Sequence, residues 1–281
     1  MMPQQPDIAS ETVRLPSLWQ PTSLWPAGCD TRDVTTGKST RKHYSKSPVT
    51  EALIDIRVAP LPENRLKKLA TLPRMLKREY PVKRTRMEVS TEISAGPHLA
   101  TSAQQRPTGT LFIGRDERQI AQFRLDGFTF SRLAPYPEWE SVREEALRLW
   151  RAYRVLAPDA RVTRVAVRYV NRLKLPLPVG DLGDYLTLRP ELPSEVGGIS
   201  GFFVHLEIPQ PDISAMLIIN EAIAEPPTEQ RLAVLLDFDL FRDTALPGND
   251  EAVWATLDGL HQRVDDVFEQ SLTERAKELI T

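Results

Sequence analysis

Residues 161–175 read RVTRVAVRYVNRLKL. The even positions are Val162, Arg164, Ala166, Arg168, Val170, Arg172 and Lys174, and the odd ones Thr163, Val165, Val167, Tyr169, Asn171 and Leu173. Side chains on an extended backbone alternate between two faces, so this stretch predicts a strand with a core on one side and a row of guanidinium groups on the other. Such a row needs water or anions beside it.

The flanking sequence sets the strand in a one-sided sheet. On its N-terminal side a helix is expected over about Glu138 to Leu156, with Trp139, Val142, Ala146, Leu149, Trp150 and Tyr153 on one face, closed by Pro158. Before that helix, Thr110–Gly114, Gln119–Leu125 and Phe128–Leu133 read as short strands, the last two joined by an Asp126-Gly127 turn. Residues 93–109, rich in Ser, Thr, Gln, Gly and Pro, read as a long surface loop. Further upstream, Ala52, Ile54, Ile56 and Val58 alternate with Glu51, Leu53, Asp55 and Arg57, a strand followed by a helix over Glu63–Tyr80 that Pro73 breaks.

Downstream, a Pro/Gly-rich linker over Pro176–Gly198 leads to strands near Phe202–Ile208, Ala215–Glu221 and Leu232–Phe241. The chain then enters a long amphipathic helix capped near Asn249 or Asp250, with Val253, Leu257, Leu260, Val264, Val267 and Leu272 in one stripe. Its stripe suits its own sheet or a second copy, so a homodimer is an open option. The expected fold is α+β: an antiparallel sheet with long amphipathic helices on one face. Residues 48–281 form one domain in this reading, with a repeat of two β-α-βββ-α halves, 48–158 and 159–281, as an alternative. Residues 1–47, with five prolines and no apolar period, read as a disordered extension.

With 41% apolar and 26% charged residues, 281 residues can bury a substantial core. A net charge of -2 removes the bulk electrostatic argument for a nucleic-acid binder. The single cysteine, Cys29, has no second thiol for an intrachain disulfide or a thiolate metal site. No 18-residue apolar run and no basic-then-apolar leader stands in the sequence, so a cytoplasmic location without membrane contact is expected. The four histidines sit at no metal-ligand spacing, no nucleophile context surrounds a serine or cysteine, and no Gly-rich phosphate loop is present. No cofactor or metal is expected.

The charged residues of the strands are the candidate working surface. Arg57, Arg164, Arg168, Arg172, Asp237 and Asp239 all fall on the polar side of their alternations. An open face would be solvated, or would engage a protein partner. A closed or half-closed barrel would instead turn the arginines onto phosphate or carboxylate and the acids onto a divalent cation. That lumen is similar to the triphosphate-tunnel enzymes, whose Glu-x-Glu-x-Lys strand signature is met here by Leu53-x-Asp55-x-Arg57, with one acid missing. Arg65 to Arg86 holds nine basic residues against Glu79, and reads as a solvated helix face in preference to a nucleic-acid site.

Several segments together resemble a sporadically distributed bacterial family of unknown function. They are QFRLDGFTFSRLAPYPEW at 122–139, EEALRLWRAY at 144–153, VTRVAVRYVNRLKLP at 162–176, SPVTEALIDIRV at 47–58 and LLDFDLF at 235–241. Asp55 stands where that pattern more often carries Glu. The resemblance implies a bacterial cytoplasmic protein with no catalytic residues to carry over, in a setting such as defence or toxin–antitoxin loci. The expectation is therefore a non-enzymatic binding or accessory module that engages an acidic protein partner through the polar sheet face, a small anionic ligand being the lesser option. A Mg²⁺-dependent phosphate-handling enzyme is the first alternative. A SecB-like chaperone, which needs a long exposed apolar groove, is the second.

Overall fold

Residues 162–175 fall within a strand, Val162–Pro176, that lies beside Val49–Val58 near the middle of a nine-stranded sheet. The computed structural model describes residues 44–94, 100–193, 195, 197, 199–224, 230–244, 246 and 248–281. In chain order the elements are β1 (Val49–Val58), α1 (Leu66–Leu69), α2 (Arg74–Glu79), β2 (Val82–Ser94), β3 (Ala100–Ile113), β4 (Gln119–Arg124) and β5 (Gly127–Leu133). They continue as α3 (Trp139–Leu156), β6 (Val162–Pro176), β7 (Phe203–Gln210), β8 (Ala215–Ile223), β9 (Arg231–Arg242), α4 (Asp250–Ser271) and α5 (Glu274–Ile280). The fold is α+β, as expected.

The strand order is β2-β3-β4-β5-β1-β6-β9-β8-β7, and β1 and β6 run antiparallel. Outward from that pair the two sides are built alike. Each half begins with a central strand, crosses to the rim, meanders back strand by strand until its last strand pairs with its first, and ends in a long helix. The halves differ between their first two strands: α1 and α2 stand there in the first half, and an irregular segment with a 3-10 turn at Leu182–Asp184 in the second.

By compactness the described residues divide into a smaller unit within Glu88–Arg106 and a larger one within His43–Met87 and Pro107–Thr281. Within the smaller, Arg106 pairs with Glu88 at 2.9 Å.

In the larger unit the helices lie on one side of the sheet, α3 against β5 and α4 against β6 and β9. Period two selects which residues they cover: Ala52, Ile54, Ile56 and Val58 of β1, Val165, Val167, Tyr169, Leu173 and Leu175 of β6, and Val234, Leu236, Phe238 and Leu240 of β9 are all buried. From α3, Val142, Ala146, Leu149, Trp150 and Tyr153 meet them at helical spacing. Phe112, Phe123, Phe128, Trp150 and Tyr153 form one aromatic cluster, with ring centroids 5.3–6.3 Å apart. Gly127 permits the β4–β5 turn to lie against β1, since its φ is +154° and a Cβ there would meet the Ile56 carbonyl oxygen at 2.5 Å. None of the described helices is long and apolar enough to cross a membrane.

Several expectations need correction. Residues 93–109 are not one long loop: β2 runs to Ser94 and β3 starts at Ala100. Gln105, Arg106 and Pro107 are exposed, so this part of β3 carries no apolar alternation to announce it. The basic run 65–86 is not a single helix face, because it passes through α1 and α2 and then into β2, which carries Lys83, Arg84 and Arg86. Ordered chain begins before residue 48. Tyr44 is buried with its hydroxyl on the Glu269 carboxylate at 2.7 Å, and the Lys46 amide bonds the Ile280 carbonyl at 2.9 Å. The remaining extension, with Trp19, Trp25 and Cys29, lies outside the described residues. Finally, the last helix stops at Ser271. Leu272 turns extended and bridges to Leu186, and Thr273 caps α5.

Candidate functional site

On the face opposite the helices, strand register decides which charges become neighbours. Arg57 stands opposite Arg164, Asp55 opposite Ala166, Arg168 opposite Asp239, and Val170 opposite Asp237. Arginine side chains are long enough to reach diagonal neighbours, and here they do so.

Arg164 spans two strands, with Nη1 3.4 Å from Asp55 and Nη2 3.3 Å from Asp239, while its guanidinium carbon lies 4.2 Å from the Phe241 ring centroid. Arg168 donates Nε and Nη2 to the two Asp237 oxygens, both at 2.7 Å. Asp55 accepts from Arg124 Nη2 at 2.9 Å and the Thr129 hydroxyl at 2.6 Å, with Arg57 Nε at 3.4 Å. Arg124 also donates to Thr129 and to Asp126. On the other side, Asn220 donates to Asp237 at 3.0 Å and meets His205 Nδ1 through its carbonyl oxygen at 2.7 Å. His205 Nε2 lies 3.3 Å from Glu207.

The result is two clusters side by side on one face: Arg124, Thr129, Asp55, Arg57, Arg164 and Asp239 over β4, β5, β1, β6 and β9, and Arg168, Asp237, Asn220, His205 and Glu207 over β6, β9, β8 and β7. Arg168 and Asp239, opposite each other in register, bring the two within electrostatic reach. Electrostatics follow the geometry. Burial would raise the Asp55 pKa, but Arg124, the Thr129 hydrogen bond and Arg164 together hold it below the ordinary carboxylate value. For Asp239 burial prevails over Arg164 and Arg168, and its pKa is raised. The hydrogen bonds to Asp237 hold the Arg168 pKa up against desolvation. His205 is also raised, by its bonds to Asn220 first and Glu207 second. The geometry explains this: donating from Nδ1 and Nε2 at once takes an imidazolium.

Five of the six candidates from the sequence therefore meet opposite charges on one face, Arg57, Arg164 and Asp239 in one cluster and Arg168 with Asp237 in the other. The row of guanidinium groups is not bare, because acids from β1 and β9 interleave with it. Arg172 lies on the same face but further along β6, opposite Leu235, with Lys174 and Arg231 beyond it toward the same end. Arg124, Thr129 and Asn220 escape sequence reasoning, because only the pairing of β4, β5 and β8 brings them to the others. The sheet is also not closed. Its order ends at β2 and β7, so the described strands do not close into a complete barrel. The exposed large hydrophobics Val82, Met87, Val155, Leu192 and Phe203 fall on β2, α3, a loop and β7, so among the described residues no single element presents an apolar stripe of them.

Two other polar clusters are structural in character. Between α3, α4 and β6, His261 stacks on Trp139 at 4.2 Å, meets the Tyr169 hydroxyl at 3.0 Å through Nδ1 and lies 3.3 Å from Asp265. Beside it Asp258 accepts from Trp139 and Arg143, so the cluster ties two helices to the sheet. A recess of about 460 Å³ lies where α3 ends and α4 begins. There Arg154 is engaged by Asp250 at 3.2 Å and by the Ala160 carbonyl at 2.5 Å.

No protein-family model matches the chain, and no curated protein matches it.

Proposed function

We propose that the chain is a non-enzymatic binding module whose polar sheet face engages an acidic segment of a partner protein, along Arg168, Arg172, Lys174 and Arg231. The observation that supports this most directly is the state of Arg168. Its side chain is 43% exposed while the Asp237 carboxylate beneath it is only 4% exposed. The bidentate pair fixes one edge of the guanidinium and leaves the Nη1 edge outward, so a partner carboxylate meets a donor whose rotamer is already set. Arg164 and Arg124 serve a different end: held between acids, they keep the face rigid. Arg172, Lys174 and Arg231 continue the basic row toward the C-terminal end of β6, where Lys174 and Arg231 are exposed. A bacterial cytoplasmic defence or toxin–antitoxin setting, which the family resemblance implies, would supply a protein partner of this kind.

The test is fluorescence anisotropy of a labelled decaglutamate peptide titrated with the protein at low salt. Exposed ion pairs contribute roughly 0.5 kcal/mol each, so Arg168→Ala with Lys174→Ala should weaken binding about fivefold, and added salt should weaken it further. Absence of binding, or binding indifferent to both substitutions, would sink the reading. Inorganic triphosphate with Mg²⁺ is the second arm. If it raises the melting temperature of the wild type but not of Arg168→Ala, while the peptide does not bind, the face is a phosphate site instead.

A further inference from the structure

β7 is an edge strand. Its hydrogen-bonded neighbour is β8, and among the described residues no strand pairs with its other side. An open edge offers unpaired N–H and C=O groups to any extended chain, and proteins commonly blunt such edges with lysines, bulges or prolines. β7 reads FVHLEIPQ and has only Pro209, near its end, as a blunting residue of that kind. Phe203 is 68% exposed, and Val204, Leu206 and Ile208 are only half-buried on the helix side because the sheet ends there.

We propose that β7 pairs antiparallel with β7 of a second copy of this chain, in the register that sets Leu206 opposite itself. Side chains directly opposite in an antiparallel pair share a face, so a two-fold pairing that keeps the helix side continuous must be centred on a residue. Centred on His205, it would put imidazole against imidazole and Phe203 against Glu207. Centred on Glu207, it would oppose two carboxylates. Centred on Leu206, it places His205 of each copy opposite Glu207 of the other, Val204 opposite Ile208, and Phe203 opposite Pro209. That register matches opposite charges twice on the polar face and gathers six aliphatic side chains into one strip on the helix side. It also joins the polar faces of the two copies across the seam.

The experiment is sedimentation velocity of the full chain across a micromolar concentration series. Wild type should show a concentration-dependent dimer. Glu207→Lys opposes Lys to His twice and should raise the dimer dissociation constant about tenfold, since two attractive cross-strand pairs are lost and their reversal adds repulsion. The exchanged variant, His205→Glu with Glu207→Lys, restores an opposite pair in this register alone and should recover dimerisation to within a few-fold. Both positions are exposed, and far-UV circular dichroism checks that the variants fold. A monomer at every concentration, a dimer indifferent to Glu207→Lys, or failure of the exchange to rescue each overturns the proposal.

Discussion

Glu221 gives the sharpest test of the packing. On β8 the residues Leu217, Ile219 and Glu221 share the helix-side face, and the register sets Glu221 between Val204 of β7 and Leu236 of β9. It is 2% exposed, and its Oε1 is buried without a hydrogen-bond partner. Burial alone raises its pKa from 4.5 to about 7. At 1.36 kcal/mol per pKa unit that gap corresponds to about 3 kcal/mol of differential stability. The sign follows from proton counting: where only the unfolded chain releases the proton, stability falls as pH rises. Below the unfolded value both states are protonated and the effect is absent. Between the unfolded and folded values the native state is progressively penalised, and above the folded value the penalty is constant. Glu221→Gln has no proton to release, so its stability relative to wild type should rise by about 2–3 kcal/mol between about pH 4 and pH 8. Urea unfolding of both proteins, followed by tryptophan fluorescence at several pH values, measures that difference directly. Parallel profiles, or a difference that shrinks as pH rises, would refute the argument that this carboxylate is buried without compensation.

Three further outcomes are expected. Asp55→Ala removes the carboxylate that Arg124, Thr129 and Arg164 share and should lower stability by about 3 kcal/mol near neutral pH. Because the folded Asp55 pKa is lowered, its contribution is present above the unfolded carboxylate pKa and is lost as pH falls through the folded one, so the deficit should close in acid. Gly127→Ala forces a Cβ to within 2.5 Å of the Ile56 carbonyl oxygen and should destabilise by more than about 1 kcal/mol in thermal unfolding, whereas Gly180→Ala, with nothing within 4 Å, should not. Asn249 caps α4 by accepting from the Ala252 amide at 2.8 Å; Asn249→Ala should lose about 1 kcal/mol, and Asn249→Asp should restore it.

Elements with a buried face are legible in the residues alone. The alternation at 161–175, the helical spacing from Trp139 to Tyr153 and the cap at Asn249 all coincide with elements of the fold, because burial imposes a period on local sequence. The outer part of β3 is not legible, for the complementary reason: Gln105, Arg106 and Pro107 face solvent and leave no periodic trace. Glu221 is hidden differently. The run Met216–Ile223 is apolar at nearly every position up to Asn220, so the sequence does not declare which face is buried, and the carboxylate reads as an ordinary polar residue.

By itself the sequence determined that Arg57, Arg164, Arg168, Asp237 and Asp239 lie on the polar sides of their strands, since a period of two is a local property of extended backbone. Only the tertiary structure decided that these residues neutralise one another. Which guanidinium meets which carboxylate depends on the antiparallel registers of β1 with β6 and β6 with β9, set between segments as far apart as the 109 residues that separate Asp55 from Arg164. The same distinction separates the recognisable strand 203–210 from its position at the edge: a strand's own residues give it a face, but the order of the whole sheet gives it a free side.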